Sequence, residues 1–316
     1  MSTVVGAGNT AIDPFLFKPE AIAPDTRALL ETLIAQTRQR VGTFASNPIV
    51  LPPRPRSDRA RMRTLRAGDG RDIAIRIIAP DSPKGVYLHL HAGGLVTGSA
   101  DGQDPMLERI VNSTGLACVD VDYRLAPRHP YPAAWNDCEE VALWLAKHAR
   151  SEFGSDLLTI GGESAGATLA VPLLVRMRDK HRFTGFKAAN LSYGNYDTSM
   201  TPSQNRIGAL GINLRTIDIE SCSDAYCPDR AMRRDPDVSA IYADLHNLPK
   251  ALISVGTLDP FLDDSLFMYA RWIAAGNDAE LAIYPGGPHS FIMLPLRIAD
   301  EANARVDAFL NSAIPP

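Results

Sequence analysis

Short apolar runs typical of β-strands alternate with amphipathic stretches typical of α-helices over most of the chain. The strands that these runs predict cover residues 86–91, 117–122, 157–160, 187–192, 251–255 and 281–284. The predicted helices cover about 132–149, the residues after 164, 262–275 and 299–313. Runs such as ALISV at 251–255 are apolar throughout, which is typical of parallel strands covered on both faces. The pattern therefore predicts an α/β fold with a doubly wound, mostly parallel sheet.

The N-terminal residues do not follow this alternation. The stretch IAPDTRALLETLIAQTRQR begins a helix near Pro24 and places Leu29, Leu33 and Ile34 on one face. The segment NPIVLPPRPR at 47–56 follows it, and proline there interrupts both helix and sheet hydrogen bonding. We therefore predict a helical arm that ends at a proline-rich boundary.

Two further segments complete the organisation. MRTLRAGDGRDIAIRIIAP predicts two antiparallel strands about a turn at residues 68–70. Residues 196–235 lack strand signals and are too long for a plain connection, so we predict a helical insertion that covers the strand ends together with the N-terminal arm. The predicted units are N-terminal cap helices at 1–55, a main α/β domain at 56–195 and 236–316, and a cap insertion at 196–235.

Composition excludes several classes of protein. The 316 residues are 45% hydrophobic and 22% charged with a formal net charge of −4, which is ordinary globular composition and gives no reason to expect a nucleic-acid partner. The chain contains no apolar run long enough to predict a membrane span. Its N-terminus lacks the pattern of a signal peptide, so we expect a cytoplasmic protein.

The four cysteines are too few for a disulfide framework in a chain of this length. Cys118 and Cys138 lie in strand-like and helix-like runs and are interpreted as buried thiols. Cys222 and Cys227 flank SDAY in a region that we place at the surface, and their spacing suits neither a zinc site nor a thioredoxin-type pair. We therefore expect free thiols and no metal site.

A serine lies at the junction between a predicted strand and a predicted helix. The stretch TIGGESAGATLAVPL at 159–173 contains Gly162-Glu163-Ser164-Ala165-Gly166, a G-x-S-x-G sequence. Small residues are needed there because the chain turns directly from strand to helix and exposes the serine hydroxyl. A glycine-serine turn is also ordinary loop chemistry, so the assignment of Ser164 as a nucleophile depends on finding its partners.

A serine nucleophile requires a base and an orienting acid, which in such folds follow the serine along the chain. His289 follows the last predicted strand in YPGGPHSF and is the candidate base, with a surface-loop histidine as the alternative; His246 precedes a strand and is rejected. Asp259 ends ALISVGTLD and is the candidate acid. Its alternative role is a helix cap, and Asp263 and Asp264 are interpreted as charges at the helix N-terminus.

Backbone amides supply the third requirement, an oxyanion hole. The predicted strand YLHLH ends in His91-Ala92-Gly93-Gly94, which is close to an HGGG-type loop. Glycine lets amides approach a tetrahedral oxyanion closely, so Gly93 and Gly94, with the amide of Ala165, are the candidate donors. His91 is interpreted as fixing this loop and His89 as a plain strand residue.

These motifs together resemble the hormone-sensitive lipase family of α/β-hydrolase carboxylesterases. DYRLAPRHPYPAAWNDC at 122–138, GTLDPFLDD at 256–264 and PGGPHSF at 285–291 carry further similarity, and the resemblance covers roughly residues 60–316. It implies an α/β-hydrolase fold with a helical cap, Ser164 as nucleophile, Asp259 as acid, His289 as base, and Gly93 and Gly94 as oxyanion donors.

Four residues depart from the family pattern. Ala92 replaces a glycine, which negative φ tolerates, and Leu95 replaces an aromatic residue in a way that enlarges the substrate pocket. Arg128 stands in place of the usual glutamate. Glu163 stands where aspartate or threonine is common, and we interpret it as a structural hydrogen-bond partner beneath the serine.

The predicted function is hydrolysis of short- to medium-chain acyl esters through an acyl-enzyme, without metal or organic cofactor. The alternatives are a lactone, carbamate or amide hydrolase on the same triad, a ligand-binding protein on the same fold, and a structural or interaction role. The presence of His289 argues against the binding protein. Dimerisation is common in the family, so a homodimer is a candidate assembly.

The sequence is least informative about substrate contacts. Leu95 and three residues after a strand end, Tyr193, Asn195 and Tyr196, are candidates for lining the substrate pocket. Packing inside the protein is an equally good interpretation of those three residues.

Overall fold

One mixed sheet lies at the centre of the structure, a computed structural model that describes residues 3–5, 12–47 and 55–315. Its strands are β1 Thr3–Val5, β2 Arg61–Arg66, β3 Asp72–Ile78, β4 Val86–Leu90, β5 Ala117–Asp122, β6 Leu158–Glu163, β7 Phe186–Ser192, β8 Lys250–Leu258 and β9 Ala279–Pro288. They are ordered β1-β9-β8-β7-β6-β4-β5-β3-β2. All neighbours from β5 through β4 to β9 pair in parallel, so the predicted mostly parallel sheet is confirmed.

The antiparallel strands lie at the two edges of the sheet. β2 pairs with β3 and β3 with β5, which confirms the predicted hairpin. Gly70 has φ 87° in the hairpin turn, and its amide donates to the carbonyl of Ala67 at 2.9 Å. At the other edge β1 pairs with β9. Strand β1 was not predicted from the sequence. The proline-rich boundary at residues 48–54 lies outside the described residues.

Helices flank the sheet and form its cap. They are α1 Pro24–Gln39, α2 Asp104–Thr114, α3 Ala133–Phe153, α4 Ala165–His181, α5 Pro202–Arg206, α6 Thr216–Tyr226, α7 Leu262–Ala274 and α8 Arg297–Asn311. Helix α2 was not predicted, although Leu107, Ile110 and Val111 have helical spacing and are buried. Every residue of β4 and β6 is buried, as in a sheet covered on both faces. No helix in the described part of the chain has the length and hydropathy to cross a membrane.

Three strands extend further than predicted. The sequence prediction ended β6 before Gly161, β8 before Gly256 and β9 before Pro285, because glycine and proline weaken strand signals. In the sheet the pairing continues, with Gly162 opposite Leu191 and Leu258 opposite Pro288. The glycine segment before residue 289 is therefore the buried end of β9, whereas the sequence prediction ended that strand at residue 284. As a result, three candidate site residues follow strand ends without an intervening loop.

The helices outside the alternating pattern lie in the N-terminal arm and in the segment 196–235. The arm contains α1, whose buried residues are Thr26, Leu30 and Thr37; the predicted apolar face of Leu29, Leu33 and Ile34 is only half-buried. The segment 196–235 contains α5, α6 and short 3-10 turns, as expected of a helical insertion. The exact domain boundaries stay a prediction.

The turn from β6 to α4 packs directly on β4. A Cβ atom on Gly162 or on Gly166 would overlap the carbonyl oxygen of Leu90, the last residue of β4. Glycine is therefore required at both positions by backbone contact, independently of any conformational freedom. This contact determines where the chain between the two glycines lies relative to the end of β4.

We predict that Gly166→Ala will lower the free energy of unfolding by about 3 kcal/mol or more, since backbone atoms cannot move aside for the methyl group. Denaturant unfolding measures this. Gly68→Ala is the matched control, because its Cβ would meet nothing nearer than Glu140 Oε1 at 3.8 Å. The control should change the free energy by about 0.5 kcal/mol at most. Equal losses in the two variants would contradict the packing argument.

Candidate active site

Three side chains meet at the carboxyl ends of β6, β8 and β9. The Ser164 Oγ lies 2.9 Å from His289 Nε2, and His289 Nδ1 lies 3.1 and 3.0 Å from the two carboxylate oxygens of Asp259. All three side chains are buried. The rejected candidate, His246, is exposed and pairs with Asp244 away from this site. The arrangement therefore allows the imidazole to take a proton from the serine while the carboxylate holds its other nitrogen.

Ser164 has a strained backbone. Its φ of 53° and ψ of −114° lie in a region that side chains other than glycine rarely adopt. Its amide donates to the carbonyl of Ser192 at 2.9 Å, and its carbonyl accepts from Thr168 Oγ1 at 3.0 Å. Helix α4 begins at the next residue, Ala165, so the free amides of the first turn lie beside the serine.

The loop after β4 forms one wall of the site. Gly93, Gly94 and Leu95 have φ of 137°, 61° and 65°, whereas Ala92 is not among the residues with positive φ. Ala92 therefore causes no backbone strain where the family has glycine. The loop closes on itself through the amides of Val96 and Thr97, both of which donate to the Gly93 carbonyl.

His91 holds this loop in place. Its ring stacks on Tyr123 with centroids 4.0 Å apart, and its Nδ1 lies 2.8 Å from the Ala92 carbonyl oxygen. The Tyr123 hydroxyl donates to the His91 carbonyl at 2.7 Å. Burial lowers the pKa of His91, which favours the neutral ring. These contacts agree with the interpretation that His91 fixes the loop.

His89 is more than a plain strand residue, which corrects the prediction. Its Nε2 lies 2.8 Å from Glu163 Oε2 and its Nδ1 lies 3.0 Å from Asp120 Oδ1, with all three side chains buried. Glu163 is thus a hydrogen-bond partner beneath the serine, as interpreted. Burial opposes a charged imidazole, but the two carboxylates outweigh it and raise the pKa of His89 to about 10. The sequence did contain a signal for this cluster, because His89 and Asp120 are polar residues within two largely apolar strands, β4 and β5.

A cavity of about 1200 Å³ opens above Ser164 and His289. Its walls come from the ends of the strands, from the loop after β4, from α1 and from α6. Leu95 and Asn195 line the cavity, together with polar side chains that include Gln103 and Thr198. The side-chain amide oxygen of Gln103, Oε1, is buried and makes no hydrogen bond within the described residues.

Tyr193 and Tyr196 do not line the cavity, so their assignment to the substrate pocket is corrected. Both are completely buried. The chain turns at Tyr193, which has φ 40°, and its ring packs edge-on against His289 with centroids 5.1 Å apart. The amide of Tyr196 donates to Asp264 at 2.9 Å. The turn directs both rings into the protein beneath the site.

Two cysteines also lie differently from the prediction. Cys222 lines the cavity from α6, and Cys227 is buried just after that helix, so neither is a surface residue. The cause is that α6 packs over the strand ends, so that the face of the helix carrying Cys222 points inward. All four cysteines are free thiols, as expected. Burial raises the pKa of Cys222 to about 12, which keeps the thiol protonated.

Asp218 on α6 joins the two parts of the cap. Its buried carboxylate accepts from the Arg40 guanidinium, from Arg215 Nε at 2.9 Å and from the Phe44 amide at 2.8 Å. Burial alone would raise the pKa of Asp218, but the hydrogen bonds from Arg215 and the charge of Arg40 hold it below its ordinary value. Just before α6, Asn213 Nδ2 donates to the His289 carbonyl at 2.7 Å. The insertion therefore contacts the candidate base directly.

Metal ligands are not assembled at this site. Across residues 12–47 and 55–315, no group of three or more histidine, cysteine, aspartate or glutamate side chains is arranged to hold a metal ion.

Comparisons with known proteins find similarity to α/β-hydrolase fold proteins, among them esterases. A family model described as an alpha/beta hydrolase fold matches residues 87–293. An acetyl esterase of Salmonella schwarzengrund is 29% identical over 238 residues, 73% of each chain. An esterase structure from Pyrobaculum calidifontis is 26% identical with a TM-score of 0.75, covering 96% of this chain and 100% of that one. A hormone-sensitive lipase structure from a metagenome library is 25% identical with a TM-score of 0.79, covering 92% and 99%.

We predict that Asp218→Asn will release the arm at residues 40–47 from α6, because a neutral amide cannot balance the Arg40 and Arg215 guanidinium groups. Breaking a buried pair costs about 3–5 kcal/mol, so trypsin should cleave after Arg40 much faster.

The lowered pKa of Asp218 makes the link between the arm and α6 depend on pH. The link is present above the ordinary value of 3.8 and is lost as pH falls through the lower folded value.

Glu220→Gln is the control for this experiment. Glu220 lies on the same helix but is exposed to solvent, so removing its charge should change the free energy little. Equal cleavage rates in the two variants would contradict the role of Asp218.

Proposed function

The chain belongs to the α/β-hydrolase fold family and is an ester-hydrolysing serine hydrolase, and from this premise we propose that it cleaves short- to medium-chain acyl esters through Ser164, His289 and Asp259. The resemblance of its motifs to the hormone-sensitive lipase family is confirmed. One observation carries the proposal: a single imidazole lies within hydrogen-bond distance of a strained serine on one side and of a buried carboxylate on the other.

The proposed reaction begins with attack of the Ser164 Oγ on the ester carbonyl carbon while its proton moves to His289 Nε2. The alcohol leaves with that proton, and an acyl-enzyme remains. Water then attacks the acyl group with His289 again as base, which releases the carboxylic acid and restores the serine. Asp259 keeps the Nδ1 proton of the ring in place and stabilises the imidazolium.

The oxyanion of each tetrahedral intermediate is proposed to accept hydrogen bonds from the amides of Gly93, Gly94 and Ala165. Two features support this. The positive φ values of the two glycines let the loop after β4 approach the serine, and Ala165 is the first residue of α4. Each such donor contributes about 2.7–4 kcal/mol to transition-state stabilisation.

Polar side chains interrupt the otherwise apolar lining of the cavity, and this interruption favours short acyl groups. Side chains such as Gln103, Asn195 and Thr198 face it beside apolar ones such as Met293. A long alkyl chain laid against them would leave buried polar groups without hydrogen bonds, which costs free energy. The similarity to acetyl esterases points to the same substrate class.

We expect p-nitrophenyl acetate and butyrate to be hydrolysed faster than the palmitate ester, with the wild-type protein and Ser164→Ala measured side by side. Ser164→Ala should lower kcat by several orders of magnitude, on the order of 10⁶-fold if the triad acts as a unit. A folded Ser164→Ala variant that retains a tenth of the activity would exclude Ser164 as the nucleophile. A maximum at palmitate would overturn the chain-length proposal while leaving the mechanism intact.

A second variant tests the acid. Asp259→Asn should lower kcat on the order of 10⁴-fold, because an amide stabilises the wrong imidazole tautomer. The Asn oxygen can still accept from the Phe261 amide, as Asp259 does at 2.9 Å, so the start of α7 is preserved. Asp263→Asn on the first turn of α7 is the control and should keep kcat within about twofold. Similar losses in both variants would refute the assignment of Asp259.

A further inference from the structure

Three ionisable side chains form a row across adjacent strands beneath the nucleophile. On β4, His89 lies opposite Asp120 of β5 and opposite Gly161 of β6, and Glu163 is the last residue of β6. None of the three side chains is more than 2% exposed. The mechanism above uses none of them, so their presence in the apolar core has no explanation in the reaction itself.

Such a group is costly to bury. Two carboxylates and one imidazole lose their hydration inside the sheet, and a well-packed apolar set is often at least as stable. The two contacts of His89 also differ in kind. Nε2 and Glu163 make an aligned hydrogen bond, whereas the 3.0 Å contact between Nδ1 and Asp120 is electrostatic and lacks hydrogen-bond alignment. The directional contact of His89 is therefore the one with Glu163.

The hydrogen-bonded pair connects two parts of the active site. Glu163 immediately precedes Ser164, whose strained backbone persists only if its surroundings hold it. His89 lies two residues before His91, at the base of the loop that carries Gly93 and Gly94. One imidazole therefore joins the strand that ends at the nucleophile to the strand that ends at the oxyanion loop.

We propose that His89 and Glu163 are positioning residues, which hold the strained Ser164 at a fixed distance from the oxyanion loop. The inference rests on the proposed role of Ser164 as nucleophile. Neither residue touches substrate, and the effect is transmitted through the backbone on either side of their hydrogen bond. A displacement of about 1 Å at a reacting group lowers rates on the order of 100-fold, so loss of this bond should appear in kcat.

The test is a double-mutant cycle with His89→Gln, Glu163→Gln and the double variant, assayed with p-nitrophenyl acetate. Active sites are counted by the p-nitrophenolate released when a p-nitrophenyl phosphonate reacts with Ser164, so misfolded protein does not enter kcat. Each single variant should lower kcat per active site about 10- to 100-fold, with KM changed less than about threefold. The double variant should resemble the worse single variant, since both act through one contact.

Val306→Ala, at a buried position of α8 remote from the nucleophile, is the control for lost stability alone. It should lower Tm with kcat unchanged. A kcat within twofold of wild type in both single variants, or losses that multiply in the double variant, would overturn the inference.

Folding failure does not end the test. If His89→Gln does not fold, Glu163→Gln and Glu163→Asp decide it, because the shorter carboxylate keeps the charge but cannot reach the imidazole. Wild-type kcat in both would overturn the proposal. Wild-type protein and Ser164→Ala in the same assay separate the two hypotheses. Serine-independent turnover would refute the proposed function and this inference with it, whereas serine-dependent turnover with unaffected variants would refute only this inference.

Discussion

The contact between the Leu90 carbonyl and the turn from β6 to α4 is the constraint on which the rest of the site depends. No side chain fits at Gly162 or Gly166, so the chain between them is pressed against the end of β4. Ser164 is held in a strained conformation there, with its amide bound to Ser192. The same β4 end begins the loop of Gly93 and Gly94. The proposed nucleophile and the proposed oxyanion donors are thus positioned by one backbone contact.

Buried charges hold the site from below and from above. Beneath the serine, His89 and Glu163 join β4 to β6. Above it, Asp218 binds the N-terminal arm to α6, and Asn213 binds the insertion to the backbone of His289. Each of the buried charged groups is costly to bury and stable only when its partners are present. The sheet and the cap are therefore joined to the active site by directional contacts in addition to apolar packing.

The sequence predicted correctly the positions of the residues that depend on local chain geometry. Ser164, Asp259 and His289 each follow a strand within a short motif, and parallel strands bring their carboxyl ends to one edge of a sheet. Residues whose position depends on a distant segment were predicted poorly. Tyr193 and Tyr196 follow a strand end too, but a turn directs them beneath His289. Cys222 faces the cavity because α6 packs over the strand ends, which no local pattern of that helix indicates.

By itself, the sequence determined the alternation of strands and helices, the mostly parallel sheet, the hairpin at its edge and the serine, acid and histidine motifs. These follow from hydrophobic periodicity and from turn residues that act within a few positions of the chain. Only the tertiary structure decided which polar residues share the core with His89, which side chains line the cavity and how Asp218 joins the arm to the insertion. Those contacts join residues far apart in the chain, such as Arg40 and Asp218. Packing and the cost of an unpaired buried charge select the partners. Neither of these factors leaves a periodic pattern in the sequence.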